Sequence, residues 1–187
     1  MNIANKISIF RILTVPFFIS TLIYYSPEKD FLRFIALAIF TLGVISDAID
    51  GYIARKAKQM SKAGLVLDPL GDKLLLMSAF IILSPLSKLT IQFPLWLTVI
   101  VISRDMIILM GAIVIFIVKQ DINVASTRWG KLTTTFQMAA VISVLLQISF
   151  SFIFWSAAAF FTVISGVDYV MRGFKVLYAA DNHRNNH

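Results

Sequence analysis

SDAIDGYIARKAKQMSKAGLVLDPLGDK, residues 46–73, interrupts a chain that is otherwise mostly apolar. It holds Asp47, Asp50, Asp68 and Asp72, four of the ten acidic residues in the protein. Asp47 and Asp50 are three apart near the end of one apolar segment, and Asp68 and Asp72 are four apart at the start of the next. Both spacings put the two side chains on one face of a helix. The link between the segments is short, so they form an antiparallel pair able to point all four carboxylates into one pocket. Four anions converging in a low-dielectric site repel one another unless cations neutralise them. Hard divalent cations with oxygen ligands, Mg²⁺ or Mn²⁺, are the natural partners. Taken singly, each Asp reads equally well as a juxtamembrane charge or an ion-pair partner of Arg55, Lys58 or Lys73. Four at helical spacing beside a membrane point to function, because ionisable groups there are costly.

The apolar surroundings decide the class. Of 187 residues, 58% are hydrophobic and only 14% charged, against about a quarter charged in a soluble domain. Several segments of about 20 apolar residues follow one another, each long enough to cross a bilayer core of roughly 30 Å as a helix. There is no cysteine, which excludes disulfides and thiolate metal sites. The two histidines, His183 and His187, both lie in the polar tail, so an imidazole-based site is not expected. The net charge of +7 sits at segment ends, where it meets anionic headgroups and not nucleic acid.

Six hydrophobic spans are expected, at about 7–25, 32–54, 66–86, 93–118, 131–150 and 152–174. The first is too long for a signal peptide and lacks a small-residue cleavage site, so it reads as retained. Pro16 lies inside it as a potential kink, while Pro27, Pro85 and Pro94 fall near span ends, where a missing N–H does least harm. The fifth and sixth spans leave room only for a tight hairpin. The expected fold is all-α: a polytopic membrane protein with six transmembrane helices in one bundle. It forms a single domain, 1–187, with a polar tail at about 179–187. Lys6, Arg11, Arg55, Lys56, Lys58, Lys62, Lys119, Arg128, Lys131, Arg172, Lys175 and Arg184 fall on one side of it. Lys29, Arg33 and Lys88 fall on the other. This positive-inside bias puts both termini, and the carboxylate-rich stretch, at the cytoplasmic face of the cell membrane.

The remaining residues of the stretch suit a phosphate ligand. Gly51 follows Asp50 and Ala54 lies a turn further, so a ligand can approach the helix backbone closely. Gly64 does the same across the hairpin, or is simply a glycine at a helix start. Arg55 offers a planar fork to phosphate. Asp47-x2-Asp50-Gly51-x2-Ala54-Arg55-x8-Gly64-x3-Asp68-x3-Asp72 resembles the full motif of the CDP-alcohol phosphotransferases, eight fixed positions with no departure in residue or spacing. The opening NIANKISIFR is similar to that family's amino-terminal Asn-x2-Ser/Thr-x2-Arg element, here Asn5, Ser8 and Arg11.

The resemblance implies a CDP-linked lipid donor, normally CDP-diacylglycerol, its diphosphate bridging two divalent cations in membrane lipid. It makes Asp47, Asp50, Asp68 and Asp72 the metal ligands and Asp72 also the base that takes the acceptor hydroxyl's proton. Asn5, Ser8, Arg11, Gly51, Ala54, Arg55 and Gly64 would bind the donor. CMP is the leaving group, and a homodimer is implied as well.

The acceptor is read from the carboxyl half. Arg104 and Asp105 lie inside the fourth span, where ligand binding and a structural ion pair compete as explanations. Arg128 and Lys131 open the fifth span, as headgroup anchors or, with Arg104, as a pocket for an anionic acceptor. Asp168 and Arg172 share a face of the sixth span, as an ion pair or a supporting part of that pocket. Gly130, Lys131, Thr134 and Gln137 resemble the branch of the family that makes phosphatidylglycerophosphate from glycerol 3-phosphate. That branch usually carries Arg-Glu in the fourth span, whereas Arg104-Asp105 resembles the CMP-forming cardiolipin synthases, whose acceptor is phosphatidylglycerol. Glycerol 3-phosphate is ranked first. A transporter would place its acidic groups near the midplane of broken, repeated helices, and a scaffold would not need eight fixed positions.

Overall fold

A run of apolar residues can satisfy its backbone internally by forming helix, and the described apolar runs of this chain do so. The computed structural model describes residues 3–57, 64–84, 88–119 and 128–184, with side chains at 12–46, 73–84, 88–111 and 128–173. The described residues form six α-helices in order: α1 Ile3–Ile23, α2 Phe31–Ala57, α3 Gly64–Ile82, α4 Leu95–Lys119, α5 Arg128–Leu145 and α6 Ser151–Arg184. No strand occurs among the described residues. Pro16 does not end α1, which continues for seven residues beyond it to Ile23.

α1 packs against both α2 and α3, α5 packs along α6, and α4 joins the two groups through α3 and α6. The core is apolar and aromatic. Phe18 of α1 meets Phe40 of α2 with ring centroids 5.9 Å apart, and Phe80 of α3 stacks on Phe93 at 4.6 Å. Gly43 lets α2 and α3 cross closely: a methyl group there would lie 2.5 Å from Leu75 Cδ2.

The end of the bundle away from the motif is held by polar contacts that apolar packing alone would not specify. Arg33 forms a two-point pair with Asp30, its Nε at 2.8 Å and an Nη at 2.7 Å, and donates to the Leu145 carbonyl at 2.8 Å. That donor satisfies a carbonyl left open at the end of α5. Gln147, at φ 54, turns the chain between α5 and α6. Its side-chain amide pairs with the backbone of Ile91, accepting from the N–H at 2.9 Å and donating to the carbonyl at 3.0 Å. The α5–α6 connection is the tight turn that the sequence implies, but the boundaries move. α5 ends at Leu145 and not near 150, because the left-handed residue at 147 stops it. α6 runs past 174 to Arg184, into the segment read as a polar tail.

Large apolar side chains cover much of the outside, among them Phe17, Tyr24, Leu42, Met110, Phe160 and Met171. A surface of this kind suits lipid and not water. Among the described residues Ser151–Gly173 is long and apolar enough to cross a membrane, and Ile12–Ile23, Phe31–Ser46 and Lys73–Ile82 are shorter apolar stretches.

Candidate functional site

The motif divides between two helices. Asp47, Asp50, Gly51, Ala54 and Arg55 lie on the last part of α2, while Gly64, Asp68 and Asp72 lie on the first part of α3. Asp47 is one turn beyond Gly43 on α2, and Asp72 is one turn before Leu75 on α3. Both segments therefore leave the Gly43–Leu75 crossing at the same end of the pair. Asn5, Ser8 and Arg11 lie on α1, which packs against both helices. The side chains of all these residues fall outside those described, as does the connection 58–63 with Lys58 and Lys62. Among the described residues no group of three acidic or histidine side chains is placed to hold a metal ion. The donor set that the motif supplies is oxygen only, which suits a hard divalent cation.

Immediately beside the motif lies a buried ion cluster. Lys73, the residue after Asp72, donates to Asp105 Oδ1 of α4 at 2.6 Å. Arg104 donates to the same oxygen at 2.7 Å and sends its other terminal nitrogen to the Ser165 hydroxyl of α6. Asp105 and Arg104 are only 5% and 7% exposed. One buried carboxylate therefore faces two described cations, Arg104 buried with it and Lys73 with 31% of its side chain exposed. Among the described residues, Asp105 Oδ2 and Arg104 Nε have no hydrogen-bond partner. Of the two readings of Arg104 and Asp105, the geometry supports the ion pair.

On α5, Arg128, Trp129 and Lys131 are exposed, and the Thr134 hydroxyl bonds back to the Gly130 carbonyl at 3.0 Å. Further along, polar groups stitch α5 to α6. The Thr133 hydroxyl donates to the Phe161 carbonyl at 2.9 Å, and buried Gln137 donates to Thr162 Oγ1 at 3.1 Å. Arg172 pairs with Asp168 at 3.0 Å on α6, and Asp168 Oδ2 is buried with no partner among the described residues. Tyr169 reaches back to the Ile108 carbonyl of α4 at 3.1 Å, over Gly111.

Nothing in the sequence marks Ser165, Thr162 or Thr133 individually, and Lys73 reads there only as a partner for the motif carboxylates. A signal for the α6 residues exists. Thr162, Ser165, Asp168 and Arg172 follow one another at steps of three, three and four, a polar stripe down one face of an apolar helix.

Comparison with known proteins gives a consistent picture. The family model for CDP-alcohol phosphatidyltransferase matches residues 1–164. A probable phosphatidylglycerophosphate synthase of Mycobacterium tuberculosis is 34% identical over 180 residues, covering 93% of this chain and 82% of the relative. The CDP-diacylglycerol–glycerol-3-phosphate 3-phosphatidyltransferase of Bacillus subtilis is 33% identical over 94% of this chain and 97% of its own length. Its namesake from Haemophilus influenzae is 34% identical over 75% and 73%.

Proposed function

The chain belongs to the CDP-alcohol phosphatidyltransferase family, and on that premise we propose that it moves the phosphatidyl group of CDP-diacylglycerol onto glycerol 3-phosphate. The product is phosphatidylglycerophosphate, a step of phospholipid biosynthesis, and CMP is released. The complete eight-position motif, split between α2 and α3 on one side of the Gly43–Leu75 crossing, carries the reading. The named relatives support the choice of acceptor.

Asp47, Asp50, Asp68 and Asp72 would hold two divalent cations, Mg²⁺ or Mn²⁺. When bound, such ions neutralise the donor's diphosphate and ease the departure of CMP. Gly51, Ala54 and Gly64 keep the helix surface low so that the diphosphate can approach the backbone. Arg55, with Asn5, Ser8 and Arg11 of α1, binds the donor's nucleotide end. The acceptor's primary hydroxyl oxygen attacks the phosphatidyl phosphorus while the bond to the CMP oxygen breaks. Asp72 takes the hydroxyl proton.

The acceptor is a small dianion, so it needs cations that water can reach. Arg128 and Lys131, exposed at the start of α5, and Arg172, exposed on α6, meet that need. Arg104 on α4 has its terminal nitrogens engaged by Asp105 and Ser165, so it is given no direct contact with the acceptor. In this reading all six helices cross the membrane, both termini lie in the cytoplasm, and the reaction proceeds at the cytoplasmic face, where both CDP-lipid and glycerol 3-phosphate are at hand. The apolar exterior of the bundle supports it. The test is CMP release from CDP-diacylglycerol by purified protein. It should stop with a chelator and return with Mg²⁺ or Mn²⁺. Turnover that persists in the chelator contradicts the metal-dependent reading.

A further inference from the structure

We propose that Asp105 is a positioning residue for the reaction: through Lys73 it sets the depth and rotation of the end of α3 that carries Asp68 and Asp72. The proposal rests on reading those carboxylates as the reaction centre.

Lys73 and Asp72 are neighbours in a helix, so their movements are coupled. A rotation of α3 that breaks the Lys73–Asp105 bond turns Asp72 by the same angle, and a slide of one residue moves it by about 1.5 Å. Apolar packing resists such movements poorly in a bilayer, where lipid tails solvate an apolar helix face as well as another helix does. The buried side chains of α3 beyond Lys73 are Leu75, Leu76, Ala79 and Phe80, all apolar, and Ser78, whose hydroxyl bonds back to the Leu75 carbonyl of the same helix. Polar links must therefore fix the register, and among the described residues two join α3 to α4. Lys73 bonds Asp105 at one end, and the Thr98 hydroxyl donates to the Phe80 carbonyl at 3.1 Å at the other. The two anchors are seven residues apart on each helix, Lys73 to Phe80 and Thr98 to Asp105, running in opposite directions. Two such points define both the rotation and the depth of α3 against α4. A single point would leave one of them free.

The cluster continues from α4 to α6. Arg104 holds Asp105 Oδ1 and passes the constraint to Ser165. Asp105 places one oxygen between both cations and leaves Oδ2 without a partner among the described residues. Oδ1 alone is thereby held by Lys73 and Arg104 together.

The experiment uses the full chain in detergent with CDP-diacylglycerol, glycerol 3-phosphate and saturating Mg²⁺. Lys73→Met leaves Arg104 and Asp105 as a neutral buried pair, so the bundle should fold and melt near the wild-type temperature. We expect kcat to fall about 10–100-fold, the scale of a misplacement of about 1 Å, with both KM values within about threefold. Lys73→Arg should restore most of the loss. Asp105→Asn should lower kcat at least as far, and it should also melt lower because the buried Arg104 loses its carboxylate; the double variant should turn over no more slowly than the poorer single one. Unchanged kcat in Lys73→Met overturns the proposal. So does a raised acceptor KM at normal kcat, which would make Lys73 a direct acceptor ligand. A second readout needs no turnover. The chain has no cysteine, so spin labels at Leu74→Cys and Met106→Cys, both exposed positions, report the α3–α4 distance. Lys73→Met should shift or broaden that distance, and an unaltered distribution overturns the proposal. A wild type that releases no CMP would instead sink the reaction assigned above, while the label distance still decides the positioning.

Discussion

Gly43 and Leu75 approach so closely that a methyl group on the glycine would lie 2.5 Å from Leu75 Cδ2. This contact sets the crossing of α2 and α3, the two helices that share the motif. Leu75 is 3% exposed and has little room to yield. Gly43→Val should therefore destabilise the bundle by about 1–3 kcal/mol, the usual penalty for overpacking. Turnover should fall too, because spreading the crossing separates Asp47 from Asp72. Adding Leu75→Ala should recover part of both. Thermal melting and CMP release of the single and double variants check this, and a fully stable, active Gly43→Val would contradict it.

Asp30 and Arg33 link acidity to stability at the opposite end. The hydrogen bonds from the Arg33 guanidinium hold the Asp30 carboxyl below the usual carboxylate range. A group with a depressed folded pKa adds stability that is fully present above its unfolded value, about 3.9. That contribution is lost as pH falls through the folded value. Melting temperature should drop on acidification below about pH 4, and Asp30→Asn should flatten that part of the profile. Arg33→Ala should cost more, about 1–3 kcal/mol, because the Leu145 carbonyl loses its charged donor as well. A wild-type acid profile that Asp30→Asn leaves unchanged would refute the linkage.

Asp72 has a different role from the other three acids in this account. Asp47→Asn, Asp50→Asn and Asp68→Asn should each abolish turnover. Asp72→Asn should lower the rate by about 10²–10⁴-fold, the contribution of a general base, while retaining measurable affinity for CDP-diacylglycerol. Binding of the CDP-lipid to the inactive variants, measured by calorimetry in micelles, separates the roles. Loss of donor binding in Asp72→Asn would make it chiefly a metal ligand.

Orientation is testable with single cysteines in this cysteine-free chain. Positions beside Lys29 and Lys88 should react with reagents confined to the outside of the membrane, and positions beside Lys58 and Lys119 should not. The reverse pattern would move the reaction to the other face.

The motif and the helices were legible because each rests on a local rule. The eight positions keep fixed spacings on helices, and α2, α3 and α4 were recognised as apolar runs. What escaped was non-local. Nothing near Lys73 in the sequence says that its partner is Asp105, 32 residues away. Arg33 read as a boundary charge, yet it reaches 112 residues along the chain to cap α5 at Leu145. The sequence carries α5 too far because Leu146, Ile148 and Phe150 continue the apolar run, while the left-handed turn falls on Gln147, a residue that carries no turn signature. Arg104 and Asp105 were visible as an anomaly in an apolar helix, but only the packing of α3 and α6 around them indicates which role they serve.

The acceptor is the centre of the account, and one measurement addresses it. Purified protein is given CDP-diacylglycerol and Mg²⁺ with glycerol 3-phosphate, phosphatidylglycerol or inositol phosphate in separate reactions, and each lipid product is identified by mass. Phosphatidylglycerophosphate should form with glycerol 3-phosphate, and Lys131→Ala should raise the acceptor KM far more than the donor KM. Cardiolipin as the sole product, formed only with phosphatidylglycerol, would contradict the account.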